Sequence, residues 1–387
     1  MKILMLTSEY PPYTWGGVGR YSKEVVERLR EHSIVDVIDV PTYAVSAGQI
    51  GDSHCSSSPR GNSIHLRSAT HDQSESMLDP FNEATQVTPN LAEWLRNDYD
   101  VLFVQDYFTA QLAVDIFLSG YASRMVAYSH LPLYAGFSYF DRPGAIDRQH
   151  ALESMIFRLS AAVITPSKFA AGVILQSHNV TAERLRVLPP GVTMPESQSH
   201  SFANHDGDSI SLLVVSRLTH QKGLAYLPDL VSQLTGRGIN CRVVVIGRGP
   251  LADRLQESLR AERVQGVVEF VSQVDQESEV FDYYRSARIL VSLSLYETFG
   301  FAVLEGMSRG CVPVGFAIEG IRELVGPELA KSFADIGDVP ALVNRIELLS
   351  LDSRLLQLEA ERAIDQALKY SWSDHVRALL ELFEGLM

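Results

Sequence analysis

Two glutamates that flank a short glycine loop are the residues whose types and spacing most directly suggest chemistry. Glu297 lies in the stretch Ser294-Leu-Tyr-Glu-Thr-Phe-Gly-Phe, and Glu305 follows within the next apolar, helix-like run. The amides near Gly300 begin that predicted helix, and unpaired N–H groups at a helix start suit a phosphate. Carboxylates beside a phosphate could accept hydrogen bonds from a polyol. The pattern favours a nucleotide sugar as ligand, and the alternative is two solvated acids at a helix start.

A basic pair stands at a second predicted strand end. Arg217 follows the strand 209–216, and Lys222 with Gly223 opens the next helix. Cations at a helix start oppose the helix dipole, so their presence there indicates a purpose. An arginine and a lysine one loop apart could clamp a diphosphate. The alternative is two surface bases without a ligand.

The first half of the sequence offers further candidates. His130 and Asp106 each stand at the carboxyl end of a predicted strand, where ligands bind in open α/β sheets. A structural histidine and a helix-capping aspartate are the alternatives. Tyr134 belongs to an aromatic stretch that could stack on a sugar or pack on the core. Gly16-Gly17 opens a helix after the first strand, so its backbone could approach a phosphate or form a plain turn.

Alternating strands and helices must position these residues. Apolar runs predict buried strands at 2–7, 34–40, 100–104, 125–129, 161–165, 209–216, 241–246, 266–271, 288–293 and 312–316. Ser167 is predicted to cap a helix. Residues 91–95 are also predicted to be helical. A polar linker over 196–208 divides the chain. The sequence therefore predicts an α/β protein with two doubly wound, Rossmann-like domains that face a cleft.

Composition excludes several classes of partner. The chain has 387 residues, 46% of them hydrophobic and 21% charged, which is typical of a globular protein with two or three domains. A formal net charge of −14 argues against nucleic acid and tolerates a cationic substrate. No apolar run is long enough to span a membrane. Three scattered cysteines and the lack of a signal peptide predict a reducing, cytoplasmic location.

The segment 46–88 is polar and irregular, and we expect it to be a long mobile excursion. His54, Cys55, His65 and His71 occur in or near it, but their spacing fits no zinc template. No metal site is expected in the chain, and no cofactor.

With these residues in view, the chain resembles the retaining glycosyltransferases of the large family that includes sucrose synthase, bacterial glycogen synthase and mannosyltransferases, which have the GT-B fold. The resemblance covers nearly the whole chain. It rests on Gly16-Gly17, His130, Arg217 with Lys222-Gly223, Gly247-Arg-Gly249-Pro250, the stretch from Glu297 through Glu305, and the helix at Trp372.

The resemblance implies roles for residues of this sequence. Arg217 and Lys222 would hold the diphosphate of a nucleoside diphosphate sugar, and Glu305 the ribose hydroxyls. Glu297 would orient the donor sugar close to His130. The donor-binding set would be Gly16, Gly17, Arg217, Lys222, Gly247, Thr298, Phe299, Gly300, Phe301 and Glu305, and the catalytic set His130, Glu297, Arg217 and Lys222. Asp106 and Tyr134 are candidates on the acceptor side, and no metal is needed.

The resemblance also implies the domain plan. Residues 1–195 would form the acceptor-side domain, with a final helix over 370–387 packing on it, and 196–369 the donor-binding domain. The expected reaction moves a sugar from a nucleoside diphosphate sugar, with UDP as the expected nucleotide, to the hydroxyl of a small soluble acceptor, for which an aminocyclitol of an aminoglycoside-type pathway is one candidate. This chain departs from the family at Pro190, Thr193 and Glu319, where Asn, Asp and Gly are usual.

The sequence leaves other classes of function open. A related fold could perform other chemistry, as a nucleotide-sugar epimerase does, or the chain could be a catalytically silent sensor of sugar nucleotides. A phosphorylase of this architecture would need a pyridoxal lysine, for which no segment is evident. The sugar, the base, the acceptor and the oligomeric state are not determined by the sequence.

Overall fold

The computed structural model describes residues 1–11, 16–39, 50–58, 60–68, 95, 98–133, 145–195, 209–272, 274 and 277–387. The chain divides into two compact units. The first contains Met1–Gly191 and Trp372–Met387, and the second contains Val192–Ser371. The predicted helix at 91–95, the linker at 196–208 and Tyr134 lie outside the described residues, apart from Leu95.

The first unit is built on a mostly parallel sheet. Its described strands are β1 (Lys2–Thr7), β2 (Ile34–Asp39), β3 (Ile50–Ser58), β4 (Gly61–Ser68), β5 (Tyr99–Val104), β6 (Ala122–Tyr128), β7 (Ala162–Thr165) and β8 (Leu185–Val187). They lie in the order β3-β4-β2-β1-β5-β6-β7-β8, and only the β3–β4 pair among them is antiparallel. The helices described in this unit are α1 (Gly17–His32), α2 (Ala110–Leu118), α3 (Ala145–Leu159) and α4 (Lys168–Ser177).

The second unit repeats the plan with a parallel sheet. Its described strands are β9 (Ile210–Val215), β10 (Cys241–Ile246), β11 (Val268–Val271), β12 (Ile289–Ser292), β13 (Val312–Phe316) and β14 (Phe333–Ala334), in the order β11-β10-β9-β12-β13-β14. Its described helices are α5 (Leu227–Gly236), α6 (Ala252–Ala261), α7 (Glu277–Ser286), α8 (Phe301–Ser308), α9 (Glu319–Leu329), α10 (Val339–Leu351) and α11 (Ser353–Ala367). The helix α12 (Trp372–Gly385) returns to the first unit.

The central strands of each sheet are buried on both faces, as expected for parallel strands covered by helices. In β9, Leu212 and Val214 belong to one apolar cluster of the second unit, and Leu213 belongs to another. This alternation follows from the two-residue period of a strand. In the first unit, Phe103 of β5 contacts Phe383 of α12, with ring centroids 5.2 Å apart. The returning helix therefore covers one face of the first sheet.

The polar segment 46–88 contains structure that the sequence analysis did not predict. β3 and β4 form an antiparallel pair, and β4 extends the sheet beside β2, so the expectation of an irregular excursion was wrong over 50–58 and 61–68. Hydrogen bonds replace the missing apolar pattern. The amide of Asn62 donates to Asp36 at 2.7 Å, and Arg30 donates to the Asn62 carbonyl at 3.3 Å and to the Ser63 hydroxyl at 3.2 Å. The residues 69–94 are outside the described part.

Candidate functional site

Loops at the carboxyl ends of β9, β10 and β12 interlock in the second unit. A Cβ atom on Gly247 would lie 1.8 Å from the Ser216 carbonyl oxygen, and one on Gly223 would lie 1.9 Å from the Leu293 oxygen. Both glycines also have positive φ angles, of 152° and 62°. No other residue fits at these two points, because a side chain would force the loops apart. The carboxyl ends of three adjacent strands are thus joined.

This interlocking brings Lys222 to Glu297. Gln221 is buried and ties the two loops together, since its side-chain nitrogen donates to the Tyr296 carbonyl at 3.0 Å and its own carbonyl accepts from Leu295 at 2.8 Å. The Lys222 ammonium forms an ion pair with the Glu297 carboxylate, and both side chains are mostly buried. Arg217 lies exposed at the end of β9. Two predicted site residues from distant stretches are therefore in contact.

Glu305 is placed by the turn that starts α8. Gly300 has a φ of 96° and stands as the N-cap residue, a conformation that turns the chain sharply into the helix. Glu305 is only 7% exposed, and it accepts a hydrogen bond from the Tyr284 hydroxyl at 3.1 Å. Thr298 and Phe299 are buried in the loop before the helix, and the Phe299 ring packs against Tyr370 and Phe301 at 5.6 and 5.4 Å.

The start of α9 packs directly on the Glu297 loop. A Cβ atom on Gly320 would lie 2.1 Å from the Glu297 carbonyl oxygen and 2.8 Å from the Thr298 carbonyl carbon. Glycine is therefore required at 320 by contact rather than by backbone angle. Glu319 is exposed in the first turn of α9 and lies 3.7 Å from Arg322, so its negative charge faces solvent beside a favourable helix dipole.

Arg309 is a buried cation beside Glu305 that the sequence analysis missed. It is 4% exposed, and its guanidinium lies 3.7 Å from the centroid of the Phe281 ring. It donates to the Ser308 hydroxyl at 2.7 Å and to the Thr193 carbonyl at 3.4 Å. No local sequence pattern indicates this environment, because Phe281 and Thr193 come from other stretches of the chain.

In the first unit, His130 is enclosed by aromatic rings. Its ring centroid lies 4.5 Å from that of Tyr128 and 4.8 Å from that of Tyr21. Burial, with a smaller contribution from the nearby His375, lowers the pKa of His130 to about 3. Its Nε2 lies 3.1 Å from the side-chain amide of Gln105. His130 is therefore a neutral imidazole at neutral pH.

His375 of α12 contacts Tyr21 of this aromatic cluster. Its Nε2 lies 2.9 Å from the Tyr21 hydroxyl, and its Nδ1 lies 2.9 Å from the Pro189 carbonyl oxygen. Because that carbonyl can only accept, Nδ1 carries the proton and Nε2 accepts from Tyr21. Burial lowers the pKa of His375 to about 4. The returning helix thus fixes the ring of Tyr21 against which His130 packs.

Asp106 caps the short helix that follows β5. Its Oδ1 accepts from the Phe108 amide at 2.9 Å, and its Oδ2 accepts from the Ser8 hydroxyl at 2.6 Å. Burial, opposed by the hydrogen bonds from Ser8 and Phe108 and helped slightly by the Glu9 charge, raises the pKa of Asp106 to about 6. The capping interpretation of Asp106 is therefore what the structure shows. Its role towards an acceptor stays a prediction.

An internal carboxylate occupies the start of α1. The Oε2 atom of Glu9 accepts from the amides of Gly16 at 2.9 Å and Gly19 at 3.2 Å. Gly17 is the first residue of the helix. These first-turn amides are those that the sequence analysis offered to a phosphate, so an anion at this place would have to displace Glu9.

The described part of the chain contains no group of three or more His, Cys, Asp or Glu side chains that could hold a metal ion. The sequence Asp98-Tyr99-Asp100 stands at the amino end of β5, where Asp100 accepts from the Lys2 amide at 2.7 Å.

Within the described ranges, no helix combines the length and the apolar character that a bilayer crossing needs.

Comparisons with known proteins agree with this geometry. Residues 196–371 match the family described as "Glycosyl transferases group 1", and residues 15–194 match "Glycosyltransferase Family 4". An uncharacterized glycosyltransferase of Methanocaldococcus jannaschii is 27% identical over 348 residues, which are 85% of this chain and 84% of that protein. The glycogen synthase of Mycobacterium tuberculosis is 26% identical over 340 residues, or 84% of this chain and 80% of that protein.

Among solved structures, the sucrose-phosphate synthase from Thermosynechococcus elongatus is similar in fold. Its TM-score is 0.79 at 18% identity, and the match covers 100% of this chain and 99% of that chain. The two family matches together extend over residues 15–371 with a break only at 195. The second half of the chain therefore belongs to the glycosyl transferases group 1 and the first half to glycosyltransferase family 4, and the chain is a glycosyltransferase with the GT-B fold.

Proposed function

We propose that this glycosyltransferase moves a sugar from a UDP-linked donor to a hydroxyl group of a small acceptor, with retention of configuration and without a metal ion. The observation that carries the proposal is the Lys222–Glu297 ion pair, held at the carboxyl ends of β9 and β12 next to the start of α8. A cation and a carboxylate beside the start of a helix form a site for a diphosphate that bears a polyol.

Each side chain then has one task. Lys222 and Arg217 bind the diphosphate, and the buried Glu305 accepts hydrogen bonds from the ribose hydroxyls. When phosphate oxygens replace Glu297 as the partner of the Lys222 ammonium, the Glu297 carboxylate can accept hydrogen bonds from hydroxyls of the donor sugar. Positive charge placed beforehand near the leaving group stabilises the charge that develops on it.

The chemistry we propose is a front-face substitution. The bond from the anomeric carbon to the acceptor oxygen forms on the face from which the bond to the diphosphate breaks, and the departing phosphate oxygen takes the acceptor proton. His130 has a pKa of about 3, so it does not act as an imidazolium acid at neutral pH. It would instead line the sugar site as a neutral group. A covalent glycosyl adduct on Glu297 would contradict this route.

A cationic acceptor, such as an aminocyclitol, is supported by charge. The chain has a formal net charge of −14, and Asp106 and Glu9 place two carboxyl groups beside each other at the carboxyl ends of β5 and β1. An acceptor panel that pairs each aminocyclitol with its uncharged analogue tests this point. A preference for the uncharged analogues would count against it.

The reaction itself is tested by NMR of the first product formed in excess EDTA. With an α-linked UDP-sugar, we expect an α-linked product, and turnover unchanged by the chelator. Lys222→Ala should reduce kcat/KM by roughly a hundredfold or more, because it removes charge stabilisation at the leaving group. A β-linked product, or activity that returns only with added divalent metal, would overturn the proposal.

A further inference from the structure

The loop that carries His130 is anchored at its first end by the sheet. β6 ends at Tyr128, and the next residue, Ser129, still follows the strand pattern, since its amide donates to the Ile164 carbonyl at 2.8 Å. The Ser129 carbonyl accepts from the Thr165 hydroxyl at 3.2 Å. The backbone just before His130 therefore has a fixed position.

The second end of the loop is held by side chains instead of a strand. The Leu133 amide donates to Oε2 of Glu153 at 2.8 Å, and the Leu133 carbonyl lies 3.0 Å from Nε2 of His178. Glu153 belongs to α3, and His178 follows α4. The two side chains satisfy both peptide groups of a buried residue, as a neighbouring strand would.

One carboxylate bridges the two ends. The Oε1 atom of Glu153 accepts from the Ser129 hydroxyl at 2.8 Å, while Oε2 accepts from Leu133 and lies 3.1 Å from His178 Nε2. Glu153 is 3% exposed. Burying a carboxylate is unfavourable unless several donors surround it. If the space between α3 and this loop only had to be filled, an apolar residue could occupy position 153.

We infer that Glu153 is a positioning residue, which holds His130 at the sugar site by clamping residues 129 and 133. The inference rests on the proposed role of His130 in the reaction. Glu153 does not touch substrate. It fixes the length and direction of the short loop, and a misplacement of about 1 Å near reacting atoms can reduce turnover roughly a hundredfold.

A double-mutant cycle tests the inference. In Glu153→Gln the volume is unchanged but the negative charge is lost: the remaining oxygen accepts from the Leu133 amide only if the new amide nitrogen donates to the Ser129 hydroxyl, so both hydrogen bonds become neutral and weaker. We expect kcat to fall by roughly tenfold to a hundredfold with little change in the donor KM. In a His130→Ala background, the same substitution should reduce kcat no further, because the residue it positions is gone.

The matched control is Glu359→Gln. Glu359 is also a buried carboxylate that accepts from a serine, Ser332, at 3.2 Å, and it pairs with Arg345 in the second unit. This control should lower the melting temperature and leave kcat unchanged. Hydrogen exchange gives a readout without activity: the Leu133 amide should exchange faster in Glu153→Gln and not in Glu359→Gln.

Three results would overturn the inference in distinguishable ways. If His130→Ala is impaired and Glu153→Gln causes an equal further loss in that background, Glu153 is merely structural. If His130→Ala turns over like the wild type, the proposed role of His130 is itself wrong and the positioning role falls with it. Unchanged exchange of the Leu133 amide in Glu153→Gln would show that the clamp does not hold the loop.

Discussion

Burial determines the charge of three ionisable groups in the first unit. It lowers the pKa of His130 to about 3 and that of His375 to about 4, and it raises the pKa of Asp106 to about 6. Both histidines are therefore neutral at pH 7. Asp106 is mostly ionised at that pH, although burial makes its charged form unfavourable. Neutral rings can share the aromatic cluster around Tyr21 without an unpaired buried charge.

Asp106 gives a pH prediction whose sign follows from its raised pKa. The unfolded carboxyl titrates near 3.8, so below that pH both states are protonated and burial has no effect. Between pH 3.8 and about 6 the unfolded state ionises first, and the folded state loses stability, by about 3 kcal/mol above pH 6. Asp106→Asn should therefore stabilise the protein more at pH 8 than at pH 4.5.

Chemical denaturation of wild type and variant at both pH values measures this difference. Ser8→Ala serves as a counterpart, because the Ser8 hydrogen bond lowers the pKa of Asp106 and its loss should widen the pH dependence. A gain from Asp106→Asn that is equal at the two pH values would contradict the burial argument.

Single residues differ in how far the sequence reveals them. Glu297, Glu305 and Lys222 were predicted because each stands beside a glycine turn after an apolar strand, which is a local pattern. Glu153, His375 and Arg309 were not, because their partners, such as Leu133, Pro189 and Thr193, come from other elements. Their meaning arises only once the chain is folded.

At the scale of elements, the start of α9 is set against the Glu297 loop by Gly320. Gly320→Ala would place a Cβ atom 2.1 Å from the Glu297 carbonyl oxygen, so the loop or the helix must move. We expect kcat/KM for the donor to fall roughly tenfold or more, since Glu297 moves with its loop. Steady-state kinetics against a single donor measures this change.

Gly236→Ala is the matched control for that substitution. A Cβ atom on Gly236, in the last turn of α5, would meet nothing within 4 Å, so the kinetics should match the wild type. Equal kinetics for Gly320→Ala and the wild type would mean that the close approach of α9 does not position Glu297.

Elements with a strong apolar pattern were predictable. The strand at 2–7 was predicted with the bounds that the structure has, and the predicted Ser167 cap is confirmed, since its hydroxyl accepts from the Ala170 amide at 3.1 Å. β3 and β4 were missed because they contain few apolar residues. At Gly61, the first residue of β4, a Cβ atom would lie 1.9 Å from the Val35 oxygen, so this close approach of the backbones needs a glycine and leaves no apolar signal in the sequence.

At the scale of the whole molecule, the alternation of strands and helices was enough to predict two Rossmann-like units, and the fold is confirmed by the structure and its relatives. The predicted boundary was 195/196, and the structural units divide between Gly191 and Val192. The helix α12 belongs to the first unit through Phe383, His375 and Trp372. Which sugar and acceptor the protein uses depends on side-chain detail that no strand pattern encodes.

The most direct test of the account is the melting temperature of the protein with UDP-, GDP-, ADP- and dTDP-sugars, in the absence of metal. We predict that a UDP-sugar at about a hundred times its dissociation constant adds about 2.7 kcal/mol of stability. The shift should vanish in Lys222→Ala and persist in Glu359→Gln. No shift with any donor, or an undiminished shift in Lys222→Ala, would contradict the claim that the Lys222–Glu297 site binds a nucleotide sugar.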